Sequence, residues 1–311
     1  MSLLRPALIS ASRNQILQQA VTTVPAFRRM ARRFIAGETL EQAVASALDL
    51  NDRGMLGTLD HLGENVLDEQ AACAAADEYV LALYALRAAG ARCNISVKLT
   101  QLGLDVSDQT CTANLQHVVE QAWTSGNFVR VDMEGSEYTQ RTLDIYRQMR
   151  RDFSNVGIVI QAYLHRSEMD IRSLIEEGIG HFRLCKGAYD EPETIAYQER
   201  ACVTRAFNDL IRICMAPESR DMQAYAAIAS HDQDIINFAR AYAYGQELPK
   251  DAFEFQMLYG IRRELQTALV RQGYTVRIYI PYGAHWYPYF MRRLAERPAN
   301  LTFFLRALSG D

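Results

Sequence analysis

The residues best placed to do chemistry lie near the C-terminus, in Tyr287-Pro288-Tyr289-Phe290-Met291-Arg292-Arg293-Leu294-Ala295-Glu296-Arg297. Spacings of three and four put Tyr289, Arg292, Arg293 and Glu296 within reach of one another on a helix. Arginine presents a planar fork of donors that matches a carboxylate oxygen for oxygen. A nearby glutamate can hold an arginine or receive an ammonium group. The set therefore suits an amino acid gripped at both its carboxylate and its amine. The plainer reading of an Arg-Arg pair is a solvated helix end, and the rest of the chain argues against it.

Short apolar segments recur along the chain, each followed by a longer stretch of helical periodicity. The expected strands cover 55–59, 93–99, 127–133, 156–162, 180–185, 225–230, 253–258 and 276–281. Helices are expected over 68–89, 111–125, 139–151, 168–177, 193–214, 232–244 and 259–272. Gly90, Gly126, Gly178 and Gly273 fall where helices should stop. Eight such units favour a closed, parallel α/β (βα)8 barrel of the TIM type over an open sheet. The expected organisation is an N-terminal helical arm over 1–54 and a barrel catalytic domain over 55–311.

A barrel places its active site at the C-terminal ends of its strands. The polar residues there are Lys98, Asp132, Glu134, Gln161, Arg183, Lys186, Ser230, His231, Gln256 and Tyr279. Taken singly, Asp132 reads equally as a helix cap, Lys98 as a snorkelling side chain and His231 as a helix N-terminal residue. Their recurrence at successive strand ends points to a site. Lys98, Lys186 and Lys250 are the only lysines, and two of these three sit in apolar strand patterns. Gly187-Ala188 reads as a close backbone approach beside a phosphate or a planar ring.

At 311 residues, 49% hydrophobic and 23% charged, the chain can bury a substantial core. A net charge of -4 argues against nucleic acid as a partner. The six cysteines show no CxxC pairing and no histidine at zinc-ligand spacing, which suits reduced, packed thiols and no metal. No GxGxxG follows a strand and no GxxxxGK[ST] occurs. Residues 1–37 hold six arginines and no acid, the composition of a transit peptide. The run from Phe27 to Ile35 suits an amphipathic helix on the folded domain, and that reading is favoured.

Taken together, these motifs resemble proline dehydrogenase, the flavoenzyme family that oxidises L-proline to Δ1-pyrroline-5-carboxylate. The resemblance runs from about residue 55 to the end. It rests on Ser96-Val97-Lys98-Leu99-Thr100, Arg130-Val131-Asp132-Met133-Glu134, Gln161-Ala162-Tyr163, Arg183-Leu184-Cys185-Lys186-Gly187-Ala188-Tyr189 and Phe253-Glu254-Phe255-Gln256-Met257-Leu258-Tyr259-Gly260, and on the Tyr/Arg-Arg/Glu-Arg helix. It implies a distorted barrel whose last helix lies over the mouth, and FAD held non-covalently without a Rossmann domain.

Carried over, Arg292 and Arg293 look like the proline carboxylate clamp. Lys98, Asp132, Tyr189, Leu258, Tyr279, Tyr289 and Glu296 look like the rest of the substrate shell, with Asp132 and Arg183 as the catalytic pair. Met133, Gln161, Arg183, Lys186, Gly187, Ala188, Ser230 and His231 resemble the flavin contacts, and Glu64 a gate carboxylate that pairs with Arg292. Ser230 stands where a threonine is usual, and Cys185 where a small aliphatic is usual. The resemblance further implies hydride transfer from C5 of proline to flavin N5, with a quinone as electron acceptor. At this length the chain looks like the monofunctional enzyme, with a separate pyrroline-5-carboxylate dehydrogenase as pathway partner.

The expected location is the cytoplasm, with peripheral contact at the inner membrane through residues 28–33; the composition of residues 1–37 leaves the mitochondrial matrix open. The rival readings are a barrel lyase forming a Schiff base through Lys186 or Lys98, and a non-catalytic binder of nucleic acid.

Overall fold

Glycines stop the helices where the sequence places them: Gly90, Gly126, Gly178 and Gly273 take φ of +65°, +65°, +71° and +83°. This left-handed backbone is open to glycine at no steric cost. At the other ends, Thr39, Asp68, Ser107 and Asp232 accept hydrogen bonds from Gln42, Ala71, Thr110 and Asp234 backbone N–H groups, capping four helices. The computed structural model describes residues 31–63 and 65–296. It runs α1 (Leu40–Asp52), β1 (Leu56–His61), α2 (Glu69–Ala88), β2 (Cys93–Val97), α3 (Asp108–Thr124), β3 (Val129–Val131), α4 (Ser136–Asp152), β4 (Val156–Gln161) and α5 (Ser167–Glu176). There follow β5 (His181–Cys185), α6 (Arg200–Met215), α7 (Pro217–Asp221), β6 (Tyr225–Ala229), α8 (Gln233–Gly245), β7 (Glu254–Leu258), α9 (Arg263–Arg271), β8 (Thr275–Tyr282) and α10 (Tyr287–Glu296).

The eight strands are all parallel and close into a barrel, each pairing with the next and β8 with β1. All eight expected strands are present. Two expected helices begin later than periodicity suggests. The segment from 193 is held as a loop, because the Pro192 carbonyl accepts from Ile195 and Ala196, and Ala196 bridges Leu164. The segment from 259 is a turn, with Gly260 and Arg262 at φ of +75° and +51°. A Cβ on Gly260 would run into the Arg33 carbonyl.

Strand alternation explains the interior. Phe255 and Met257 of β7 are buried in the main apolar core, whereas Glu254 and Gln256 between them are buried as polar residues. The same alternation puts Ser96, Arg130, Arg183, Arg277 and Tyr279 on the barrel lumen side, so the barrel encloses charge. A second apolar cluster joins Ala31, Phe34 and Ile35 to Leu62, Ile261 and Trp286, Tyr289, Phe290 and Leu294 of α10, with Leu258 and Tyr279 packed against it. Since Leu62 follows β1 and Leu258 ends β7, this cluster seats α10 across the C-terminal mouth. Among the described residues no helix is long and apolar enough to cross a membrane.

Candidate active site

Asp132 is the hub of the mouth. It follows β3 directly, and its carboxylate accepts from Ser96 Oγ at 3.1 Å, Arg183 Nη1 at 2.7 Å and Tyr279 OH at 2.8 Å. Lys98 Nζ stands 3.6 Å from it and donates to Asp60 Oδ1 at 2.5 Å and to Tyr279 OH at 3.3 Å. These side chains come from on or just after β8, β1, β2, β3 and β5, which the barrel alone brings together. Burial pushes the Asp60 carboxyl up; Lys98 opposes that shift and Asp132 adds to it. Burial and the two carboxylates raise the Tyr279 phenol well above its ordinary value, so it remains a proton donor.

Arg183 is almost fully buried. Besides Asp132, its Nε donates to Gln256 Oε1 at 2.5 Å, and its guanidinium carbon lies 5.2 Å from the Tyr279 ring centre. Its Nη2 is buried with no hydrogen-bond partner. An unpaired buried cationic donor is costly, and it marks a place for an electron-rich group.

A second cluster follows β5 and β6. Lys186 Nζ meets Asp232 Oδ2 at 2.6 Å, and Arg200 Nη2 reaches the same oxygen at 3.0 Å. Burial works to raise the Asp232 carboxyl, but the bonds from Lys186 and Arg200 outweigh it and hold it at about 2. Ser230 Oγ accepts from the Asp232 N–H at 3.1 Å. His231 Nε2 accepts from the Leu258 N–H at 3.0 Å, tying the ends of β6 and β7 together. Gln161 donates to the Glu134 carbonyl at 2.8 Å and accepts from the Ala188 N–H at 3.4 Å, while Met133, next to Glu134 in the loop after β3, is buried. Gly187 takes φ of +115°, and a Cβ there would strike the Tyr163 ring.

Tyr189 is half-buried in the loop after β5, and Leu258 is half-buried at the end of β7. On α10, Arg293 lies over the Tyr289 ring at 5.1 Å and Arg292 is half-buried one residue earlier. Glu64 and the side chain of Glu296 lie outside the described residues, as do residues 1–30. Both candidate Schiff-base lysines are engaged in ion pairs, Lys98 with Asp60 and Lys186 with Asp232. Among the described residues no group of three or more His, Cys, Asp or Glu could hold a metal ion.

The proline dehydrogenase family model matches residues 43–306. Proline dehydrogenase 1 of Bacillus subtilis is 38% identical over 306 residues, covering 98% of this chain and 99% of the relative. Proline dehydrogenase of Deinococcus radiodurans is 36% identical over 312 residues, covering 95% and 98%. The chain belongs to the proline dehydrogenase family. It is accordingly an oxidoreductase of proline catabolism. A crystal structure of proline utilization A from Bdellovibrio bacteriovorus inactivated by N-propargylglycine superposes with a TM-score of 0.80 at 29% identity, over 86% of this chain. The match takes in 32% of that longer protein, so the chain spans about a third of its length.

Within this proline dehydrogenase barrel, two residues escaped the sequence reading, Asp60 and Asp232, and one contact of a third did. Asp60 ends β1 as the others end their strands, and applying the strand-end rule to β1 would have found it. Asp232 was hidden by its role as a helix cap. Gln256 was placed at a strand end, but its bond to Arg183 joins β7 to β5 across the lumen, which strand periodicity cannot show.

Proposed function

We propose that the barrel mouth holds L-proline against a non-covalently bound FAD, and that the substrate would lose hydride from C5 to flavin N5 and a proton from the ring nitrogen to solvent, leaving Δ1-pyrroline-5-carboxylate. The observation that carries this reading is Arg183, with Nε and Nη1 tied down and Nη2 buried without a partner. That donor fits the polar edge of a flavin ring, where a cation stabilises negative charge delivered on reduction. Gln161 at the end of β4, with Met133, Lys186, Gly187, Ala188, Ser230 and His231 in the loops after β3, β5 and β6, would hold the cofactor.

The substrate side follows from charge. Arg292 and Arg293 would take the proline carboxylate in a forked grip, with Glu296 in the substrate shell and Tyr189, Tyr289 and Leu258 offering surface to the ring. Tyr279 and Asp132 fix Arg183 and Lys98 in place, so the site is organised before substrate arrives. Asp132 already accepts three hydrogen bonds, a load suited to orienting cations. Glu64 would pair with Arg292 in the absence of substrate and release it when proline binds.

The family resemblance alone supports a quinone-type electron acceptor, peripheral contact with the inner membrane from the cytoplasm, and a separate pyrroline-5-carboxylate dehydrogenase downstream. The test is product identity. Purified protein incubated with L-proline and an artificial dye acceptor should form a product that o-aminobenzaldehyde traps as the coloured pyrroline adduct. Dye reduction without that adduct would overturn the assignment.

A further inference from the structure

The lumen of the barrel contains a hydrogen-bonded chain whose inner members the reaction itself does not use. Arg277 donates through Nη1 to the Gly57 carbonyl at 2.9 Å and through Nε to Glu254 Oε1 at 2.9 Å. Glu254 Oε1 accepts from Gln256 Nε2 at 2.5 Å, and Gln256 Oε1 accepts from Arg183 Nε at 2.5 Å. Glu254 and Gln256 are two residues apart on β7, so both face the lumen. We propose that Gln256 and Glu254 are positioning residues for the reaction: together they set the rotation of the Arg183 guanidinium and hence the direction of its free Nη2. The inference rests on the proposed flavin reading.

A guanidinium is planar, with its donors in a fixed fork. Anchoring Nε to Gln256 and Nη1 to Asp132 holds two edges of that plane, and the Tyr279 ring covers one face. Only Nη2 is left, so its direction is determined by the two anchors. Asp132 is one of them and belongs to the substrate side. Gln256 is the other, and it does its work only if its carbonyl faces Arg183.

Glu254 decides that. An amide can be turned end for end at little steric cost, but an ionised carboxylate accepts only, so the Gln256 amino group must face Glu254. Burial works to raise the Glu254 carboxyl, and Arg277 outweighs it through charge and a hydrogen bond, with Gln256 and Arg130 adding to the effect; the net shift is downward and Glu254 stays ionised. The charged and titratable groups facing this chain are Arg277, Arg130 and Tyr225 around Glu254 and Asp132 beside Arg183.

The test uses the flavin-loaded protein with proline turnover, the flavin midpoint potential and circular dichroism as readouts. Gln256→Leu should lower kcat about tenfold, the scale of one charge-assisted bond, and move the potential to more negative values. KM for L-proline should stay within about twofold, because the carboxylate clamp lies on another element. Glu254→Gln should change both readouts in the same direction. Gln256→Glu supplies a rescue: two carboxyls this close share one proton, and that proton restores a donor toward Glu254 and an acceptor toward Arg183. Its activity should exceed that of Gln256→Leu at least threefold at pH 6 and decline on raising the pH more steeply than wild type. Should Gln256→Leu fail to fold, the two charge variants carry the comparison. Wild-type kcat and potential in the variants, with both altered in Arg183→Met, would overturn the positioning role alone. An Arg183→Met protein with wild-type kcat and potential would instead remove the flavin-side reading of Arg183, and this inference with it.

Discussion

Replacing Asp132 with asparagine changes one atom in shape and one unit of charge, in a cluster where the charges otherwise balance. Two cations, Lys98 and Arg183, face two carboxylates, Asp60 and Asp132, so the substitution leaves a net charge of about +1 in a site whose members are nine-tenths or more buried. Breaking a buried ion pair costs about 3–5 kcal/mol when one partner is removed outright. Asparagine keeps one acceptor oxygen, which can serve Arg183 or Tyr279 but not both, so the loss should be about 2–4 kcal/mol. For a chain of this size that is roughly 3–6 °C in Tm. Function should suffer more, since Arg183 and Lys98 each lose a charge-assisted partner; at about tenfold per contact, kcat/KM for proline should fall about a hundredfold. Urea unfolding followed by tryptophan fluorescence reads the first quantity, and initial rates with a dye acceptor read the second. A variant within 0.5 kcal/mol of wild type in stability and within about threefold in kcat/KM would refute the view of Asp132 as the hub.

Arg292→Met and Arg293→Met should each reduce kcat/KM for proline by at least about tenfold with folding little changed, which steady-state kinetics on soluble variants will show. Asp232 is held low by its partners, so its contribution to stability is complete above pH 4 and is lost as the pH falls toward 2. Asp232→Asn should accordingly be less stable than wild type by about 1 kcal/mol at pH 7, with the gap closing below pH 3. Gly187→Val should lower the Tm of flavin-free protein as well as loaded protein, because the collision is with Tyr163. Burial pushes the Cys93, Cys111 and Cys185 thiols up to about 12, so at pH 8 rapid labelling by a thiol reagent should be confined to exposed Cys73 and half-buried Cys202, as peptide mapping will show.

The barrel was legible because its signals are local. Apolar runs, helical periodicity and helix-stopping glycines each act within a few residues, and together they gave all eight strands. The hub was partly legible for a topological reason: a parallel barrel gathers strand ends, so Lys98, Asp132, Arg183 and Tyr279 had to meet. Their partners were less so. Nothing in the β1 pattern says that Asp60 pairs with Lys98, 38 residues away, and the Arg183–Gln256 bond spans 73 residues across a lumen. Pro192 and the Leu164–Ala196 bridge shortened α6, a tertiary contact overriding helical periodicity. Gly187 was read for its close approach, and only the fold showed that Tyr163 fills that space.

The central claim is that this barrel oxidises proline through a flavin at Arg183. The absorption spectrum of the purified protein, taken before and after anaerobic addition of L-proline, tests it most directly. A yellow protein, either as isolated or after incubation with FAD, should bleach on adding L-proline, and Arg183→Met should bleach far more slowly. A protein that stays colourless with FAD, or one whose flavin remains oxidised in excess L-proline, would contradict it.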